Sequence, residues 1–214
     1  MTVVAFDFRG TLSESEMKGL LGERVGVAEE MAAIHERARN DEIANAESFR
    51  RRCALLEGLS EAEAMSAFEM VDLRPGAPAV IEALRDAGVF VSVITSGFER
   101  GVASALEREG VTVDAVVANR LAVADGALTG EVKGPLVEGR KDDALAVLTR
   151  AVGTDREDTI AVGDGSNDVP MFEIAGVAIG FDPRPDVEPA CDVVVETMAE
   201  LTDVLEREGV LGSR

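Results

Sequence analysis

The 214-residue chain carries 41 acidic against 21 basic residues, a formal net charge of −20 with a pI near 4.4. That excess would repel a phosphate backbone or an anionic bilayer, which argues against nucleic-acid and membrane partners. The length suits one α/β core with a modest insertion rather than two full domains, and no apolar run approaches the roughly 20 residues that span a bilayer.

The first β-prone segment covers residues 2–8, and no basic leader precedes Val3-Val4-Ala5-Phe6, so a cytoplasmic protein is expected. Residues 13–72 contain no convincing strand and read as several helices rich in Ala, Glu, Arg and Leu. Arg74-Pro75-Gly76-Ala77-Pro78 then supplies breakers that end this stretch. Further β-prone segments at 89–95, 113–118, 159–162, 177–180 and 192–195 alternate with helical stretches. Alternation of this kind predicts an α/β fold with a doubly wound, parallel, Rossmann-like sheet. Residues 1–12 and 75–214 are assigned to the core and 13–74 to a small helical cap. Between 121 and 133, Ala124-Asp125-Gly126 separates two short alternating runs and predicts a hairpin.

Cys53 and Cys191 lie far apart without a CxxC pairing, so neither a zinc site nor a disulfide is indicated, and both are expected to be buried. The lone histidine, His35, is expected on a solvated helix position. Apart from Lys18, Lys133 and Lys141 every basic side chain of Lys/Arg type is arginine, and acidic residues are spread along the chain. This composition resembles a salt-adapted surface.

The chemistry begins where the first strand ends, in Phe6-Asp7-Phe8-Arg9-Gly10-Thr11-Leu12. A carboxylate at the carboxyl end of a parallel strand stands where open α/β sheets bind ligands, and it can serve as nucleophile or metal ligand. A second acidic turn, Gly163-Asp164-Gly165-Ser166-Asn167-Asp168, follows the segment at 159–162. Asp164 and Asp168 are hard oxygen donors suited to Mg²⁺, and two such loops on neighbouring strands would converge on one cation.

Asp7-x-x-Gly10-Thr11-Leu12 with the later GDGSND resembles the first and fourth motifs of the haloacid-dehalogenase-like (HAD) superfamily. Thr95, ending Val91-Ser92-Val93-Ile94, matches its second motif, and Lys141 in Gly139-Arg140-Lys141-Asp142-Asp143 its third. Within that superfamily the whole chain is most similar to the phosphoserine phosphatases, through Leu128-Thr129-Gly130-Glu131-Val132, Gly134-Pro135-Leu136-Val137, and the cap segments 48–52 and 55–59. The resemblance implies a phosphoaspartate on Asp7 and Mg²⁺ held by Asp7, the backbone carbonyl of Arg9 and Asp164, with Asp168 supporting them. It further implies that Thr95, amides near Gly97, and Lys141 balance charge on the transferring oxygens, with Asn167 and Ser96 beside them. Glu16 and Arg52 are implied as receivers of a substrate's amino group and carboxylate, a division that suits a zwitterion.

Three positions depart from the family pattern. The motif's second aspartate, which protonates the leaving oxygen and then activates water, is here Arg9, and a guanidinium cannot act as a general base near neutral pH. The sequence leaves open whether phosphoaspartate accumulates, whether Arg9 pairs with Asp7 and weakens the metal site, or whether its charge serves a leaving alkoxide. Asn45 replaces a cap aromatic and Ser96 a glycine. The expected activity is release of serine and phosphate from O-phospho-L-serine by a monomer or homodimer. The alternatives are a catalytically silent phosphate-site binding or regulatory protein, and a phosphatase for another small phosphomonoester.

Overall fold

The computed structural model describes residues 1–212. The chain opens with β1 (Val3–Phe6), whose four residues are all buried. Val4 and Phe6 join one apolar cluster and Ala5 joins another, because successive side chains of a strand face opposite sides of the sheet. Both faces of the sheet are therefore covered, as a parallel sheet requires.

Four helices follow: α1 (Met17–Arg24), α2 (Ala28–Arg39), α3 (Asn45–Ala54) and α4 (Glu61–Phe68). The core pattern then resumes with α5 (Ala77–Asp86), β2 (Phe90–Phe98), α6 (Glu99–Glu109), β3 (Ala115–Ala124), β4 (Ala127–Lys133), α7 (Lys141–Val152), β5 (Thr159–Gly163), α8 (Val169–Ile174), β6 (Val177–Phe181), β7 (Val193–Val195) and α9 (Met198–Arg207). The seven-stranded sheet has the order β4-β3-β2-β1-β5-β6-β7. Among the described strands only β3 and β4 pair antiparallel.

The hairpin expected at Asp125-Gly126 is present, with φ of 51° and 78° at the two turn residues, the left-handed pair that a two-residue turn of this hand demands. Its first strand is not separate from the segment predicted at 113–118. β3 runs through both, pairing parallel with β2 at its start and antiparallel with β4 at its end. The polar Asn119-Arg120 in its middle hides this continuity from the sequence. Asn119 is nevertheless fully buried, because its amide donates to the Ser96 carbonyl (3.1 Å) and accepts from the Leu136 N–H (3.0 Å).

The four helices after β1 share an apolar cluster with the sheet. Phe98, at the end of β2, meets Phe49 of α3 and Phe68 of α4, each at 6.0 Å between ring centroids. Backbone bonds join Gly58 and Leu59 to Leu128, and Glu61 to Gly126 at the hairpin tip. The two chain crossings are stitched together as well, Ser13 Oγ to the Asp72 carbonyl (2.6 Å) and the Asp72 N–H to Ser15 Oγ (3.1 Å). Cys53 is buried as expected, whereas Cys191 is only half-buried, because it lies in the short segment leading to β7 near the sheet edge. Both thiols are free. Among the described residues no helix is long and apolar enough to cross a membrane.

The charge of −20 predicts a salt response. In ~1 M KCl the screening length falls to about 3 Å, which relieves repulsion among surface carboxylates. Thermal melts are expected to rise from dilute buffer to molar KCl, and a flat or falling trend would count against salt adaptation.

Candidate active site

β1 lies between β2 and β5, so the strand order reverses direction of growth at β1, and the crevice at such a switch point is where open α/β sheets bind ligands. Asp7 is the first residue beyond β1, and its N–H donates to the Val162 carbonyl of β5 (2.8 Å). Asp164 follows β5 directly. The expected convergence is present: Asp7, Asp164 and Asp168 offer carboxylate oxygens all within 4.8 Å of one another. Gly10 allows it, with φ of +98° and a Cα so close to the Asp164 carboxylate that any β-carbon would overlap it.

Lys141 is fully buried at the start of α7, and its ammonium bridges Asp7 Oδ1 and Asp168 Oδ1, the latter at 2.6 Å. Asp168 Oδ2 accepts from the N–H groups of Asp164 (3.0 Å) and Gly165 (2.9 Å). Both oxygens of Asp168 are thus engaged, Oδ1 by Lys141 and Oδ2 by the turn that presents Asp164. Burial pushes the Asp7 carboxyl up to about 7; Lys141 pulls it down, while Asp168 and Asp164 push with burial. Burial, then Asp168, raises Asp164 as well. Burial alone would lower the Lys141 ammonium, but Asp168 and Asp7 reverse that and raise it. Three carboxylates around one ammonium leave an excess of negative charge, and an all-oxygen donor set of this kind fits a hard divalent cation.

The cleft above this cluster is lined by Asp7, Arg9, Glu16, Thr95, Ser96, Gly97 and Asn167, all expected, and by Ser15, Met17 and Lys18, which were not. Thr95 to Gly97 occupy the stretch where β2 slips register against β3, between Ile94 and Phe98. The irregularity takes these residues out of the ladder, and the Ser96 carbonyl accepts from Asn119 instead. Thr95 Oγ1 accepts from the Gly97 N–H (3.1 Å), and Asn167 donates to Asp168 Oδ1 (3.4 Å).

Arg9 does not pair with Asp7. Its half-exposed guanidinium reaches Glu16 Oε2 (3.5 Å), while Lys141 takes Asp7. Glu16 caps α1, accepting from the Lys18 N–H at Oε1 (3.1 Å), and the Lys18 ammonium meets the same oxygen at 3.3 Å. Burial alone would raise the Glu16 carboxyl; Lys18, Arg9 and Arg52 outweigh it and pull it down to about 2. Arg52, on α3, is half-buried and donates to the Ser48 carbonyl (3.3 Å). His35 is exposed, yet it stands near this group, and burial, then Arg52, lowers its pKa.

Two residues that the sequence did not mark bear directly on the site. Arg74 holds the loop after β1 by donating to the carbonyls of Gly10 (2.9 Å) and Thr11 (3.1 Å), with its guanidinium 5.0 Å from the Phe181 ring centroid. Lys18 is the other, and its signal was compositional: in a chain that otherwise uses arginine, two of three lysines are buried at this site.

Residues 4–173 match the haloacid dehalogenase-like hydrolase family. The chain belongs to that family, and within it to the phosphoserine phosphatase branch. It is 52% identical over 210 residues to a phosphoserine phosphatase of Halobacterium salinarum, covering 98% of this chain and 100% of that one. It is 34% identical to the phosphoserine phosphatase of Methanocaldococcus jannaschii, over 95% and 96% of the two chains. A solved phospho-aspartyl intermediate analogue of phosphoserine phosphatase superposes with a TM-score of 0.85 at 32% identity, over 95% of this chain and 98% of that one. A substrate-bound phosphoserine phosphatase complex also reaches 0.85 at 32%, over 96% and 97%.

Proposed function

We propose that this protein hydrolyses O-phospho-L-serine to L-serine and phosphate through a phosphoaspartate on Asp7, in the cytoplasm, with residues 13–74 as a cap over a core of 1–12 and 75–214. The observation that carries the reading is Asp7 itself, at the switch point of the sheet, bonded to a buried lysine and facing a cleft that Glu16 also lines, with Arg52 near enough to lower the Glu16 carboxyl. The identity to phosphoserine phosphatases along the whole chain supports it.

In the first half-reaction a carboxylate oxygen of Asp7 attacks phosphorus, and the bond from phosphorus to the seryl oxygen breaks. Lys141, Thr95 and the Gly97 amide would balance charge on the transferring oxygens. In the second, water attacks the phosphoaspartate and restores Asp7. Asp7, Asp164 and the Arg9 carbonyl would hold Mg²⁺, whose charge would lower the energy of the phosphoryl oxygens. Arg52 and Glu16 would take the carboxylate and the ammonium of serine.

The test is phosphate release from a panel of small phosphomonoesters with Mg²⁺, at low and high salt, with phosphoserine expected to be cleaved. Arg9 favours a second reading, a silent phosphate-binding or regulatory protein, and release from none of the panel would give that reading precedence.

The metal assignment carries its own prediction. A cation displaces the proton that Asp7 holds with a pKa of about 7, so raising the pH from 6 to 8 is expected to tighten Mg²⁺ binding about tenfold. Calorimetric titration with MgCl₂ reads this without turnover, and a pH-independent affinity would remove Asp7 from the metal site.

A further inference from the structure

A carboxylate lining a ligand cleft marks a place for a cation, and at Glu16 that place is already filled from within the chain. Oε1 is met by the Lys18 ammonium at 3.3 Å and Oε2 by Arg9 at 3.5 Å. Lys18 is held there firmly. Its side chain is 11% exposed, and its ammonium lies 5.2 Å from the Phe49 ring centroid and 5.8 Å from that of Phe98. The position is otherwise unfavourable for a lysine, because the first turn of a helix repels positive charge. Glu16, Lys18, Arg9 and nearby Arg52 give this end of the cleft one negative and three positive charges.

We propose that Lys18 acts as an internal substitute for a substrate's ammonium and thereby opens the site to O-phosphorylated hydroxy acids, phosphomonoesters with a carboxylate and no amine. This rests on the phosphomonoesterase reading above. A site that recognises an amine ordinarily rejects the amine-free analogue because a polar group is left unpaired, a discrimination that reaches about 10⁴-fold or more. Here Glu16 keeps its partner whichever ligand enters, so that penalty is removed. An entering ammonium has to displace Lys18 from Glu16 and then stand beside it. A carboxylate meets net positive charge in either case.

The experiment compares O-phospho-L-serine with 3-(phosphonooxy)propanoate, which is phosphoserine without its amine. Dissociation constants are measured by calorimetry in the Asp7→Asn background, which cannot form the phosphoenzyme, with and without Lys18→Met. Methionine keeps the length of the side chain against Phe49 and Phe98 and removes the charge. With Lys18 present the two ligands are expected to bind within about tenfold of each other. Lys18→Met is expected to shift the ratio by about tenfold or more toward phosphoserine. Binding of phosphoserine alone with Lys18 present overturns the proposal and leaves the phosphoserine reading intact. Binding of the amine-free ligand alone supports the proposal and overturns that reading. A ratio unmoved by Lys18→Met also overturns the proposal, and the ligand ratio with Lys18 present stands as a test if the variant does not fold.

Discussion

Arg9→Asp is expected to raise phosphoserine turnover by about 10²-fold or more. The substitution places a group that can give and take a proton on the loop that carries Asp7, and it leaves the backbone carbonyl at position 9 unchanged. It also releases Glu16 from its partner at 3.5 Å, so the head-group end of the cleft loses one of three positive charges. The first effect acts on kcat and the second on KM, which lets steady-state kinetics separate them.

The two half-reactions should respond unequally. Forming the phosphoaspartate requires stabilisation of a departing alkoxide, to which a guanidinium contributes charge. Hydrolysing it requires removal of a proton from water, which Arg9 cannot do. Acid-quench trapping with labelled substrate is therefore expected to recover more phosphoenzyme from the unaltered protein than from Arg9→Asp. If the variant gains no activity while its fold and Mg²⁺ binding remain intact, the silent-protein or altered-substrate reading takes precedence. The geometry narrows the options left open by the sequence, since Arg9 engages Glu16 and leaves Asp7 to Lys141.

What the sequence revealed follows from the range of the interactions involved. Strand and helix alternation is local, and Asp7 and Asp164 could be paired because strands in a doubly wound sheet carry their ligand residues at one edge. Lys18 was not legible, because nothing within a few residues distinguishes a lysine on a solvated helix from one held over Phe49 and Phe98. Asn119 misled the reading of β3 for the same reason: its partners, Ser96 and Leu136, lie 23 and 17 residues away. Asp168 carries the motif legibly, yet its division of labour, one oxygen to Lys141 and the other to two backbone amides, appears only in three dimensions. His35 was placed on its helix correctly. Its nearness to Arg52 and Glu16 depends on how α2 packs against α3, which no local pattern specifies.

Lys141→Met is expected to damage stability and chemistry together, and the pH dependence of the stability loss distinguishes its cause. Among the described residues the ammonium is the one positive charge bonded to both Asp7 and Asp168, and all three side chains are buried. Removing one member of such a group leaves the others uncompensated, at a cost of about 3–5 kcal/mol. The protein can escape part of that cost by protonating a carboxylate. Asp7 already has a folded-state pKa of about 7 against an ordinary value of 3.8, and losing Lys141 moves it further up. A group whose folded form holds its proton more tightly than the unfolded form loses stability as pH rises between the two values. The variant is therefore expected to be closest to the unaltered protein near pH 5 and most destabilised near pH 8. Urea melts at the two pH values measure this directly, and a gap that does not widen with pH would mean that Lys141 contributes packing rather than charge. Turnover is expected to fall by about 10²–10³-fold or more, because the charge proposed to face the transferring oxygens is lost and a higher Asp7 pKa leaves less of the nucleophile ionised.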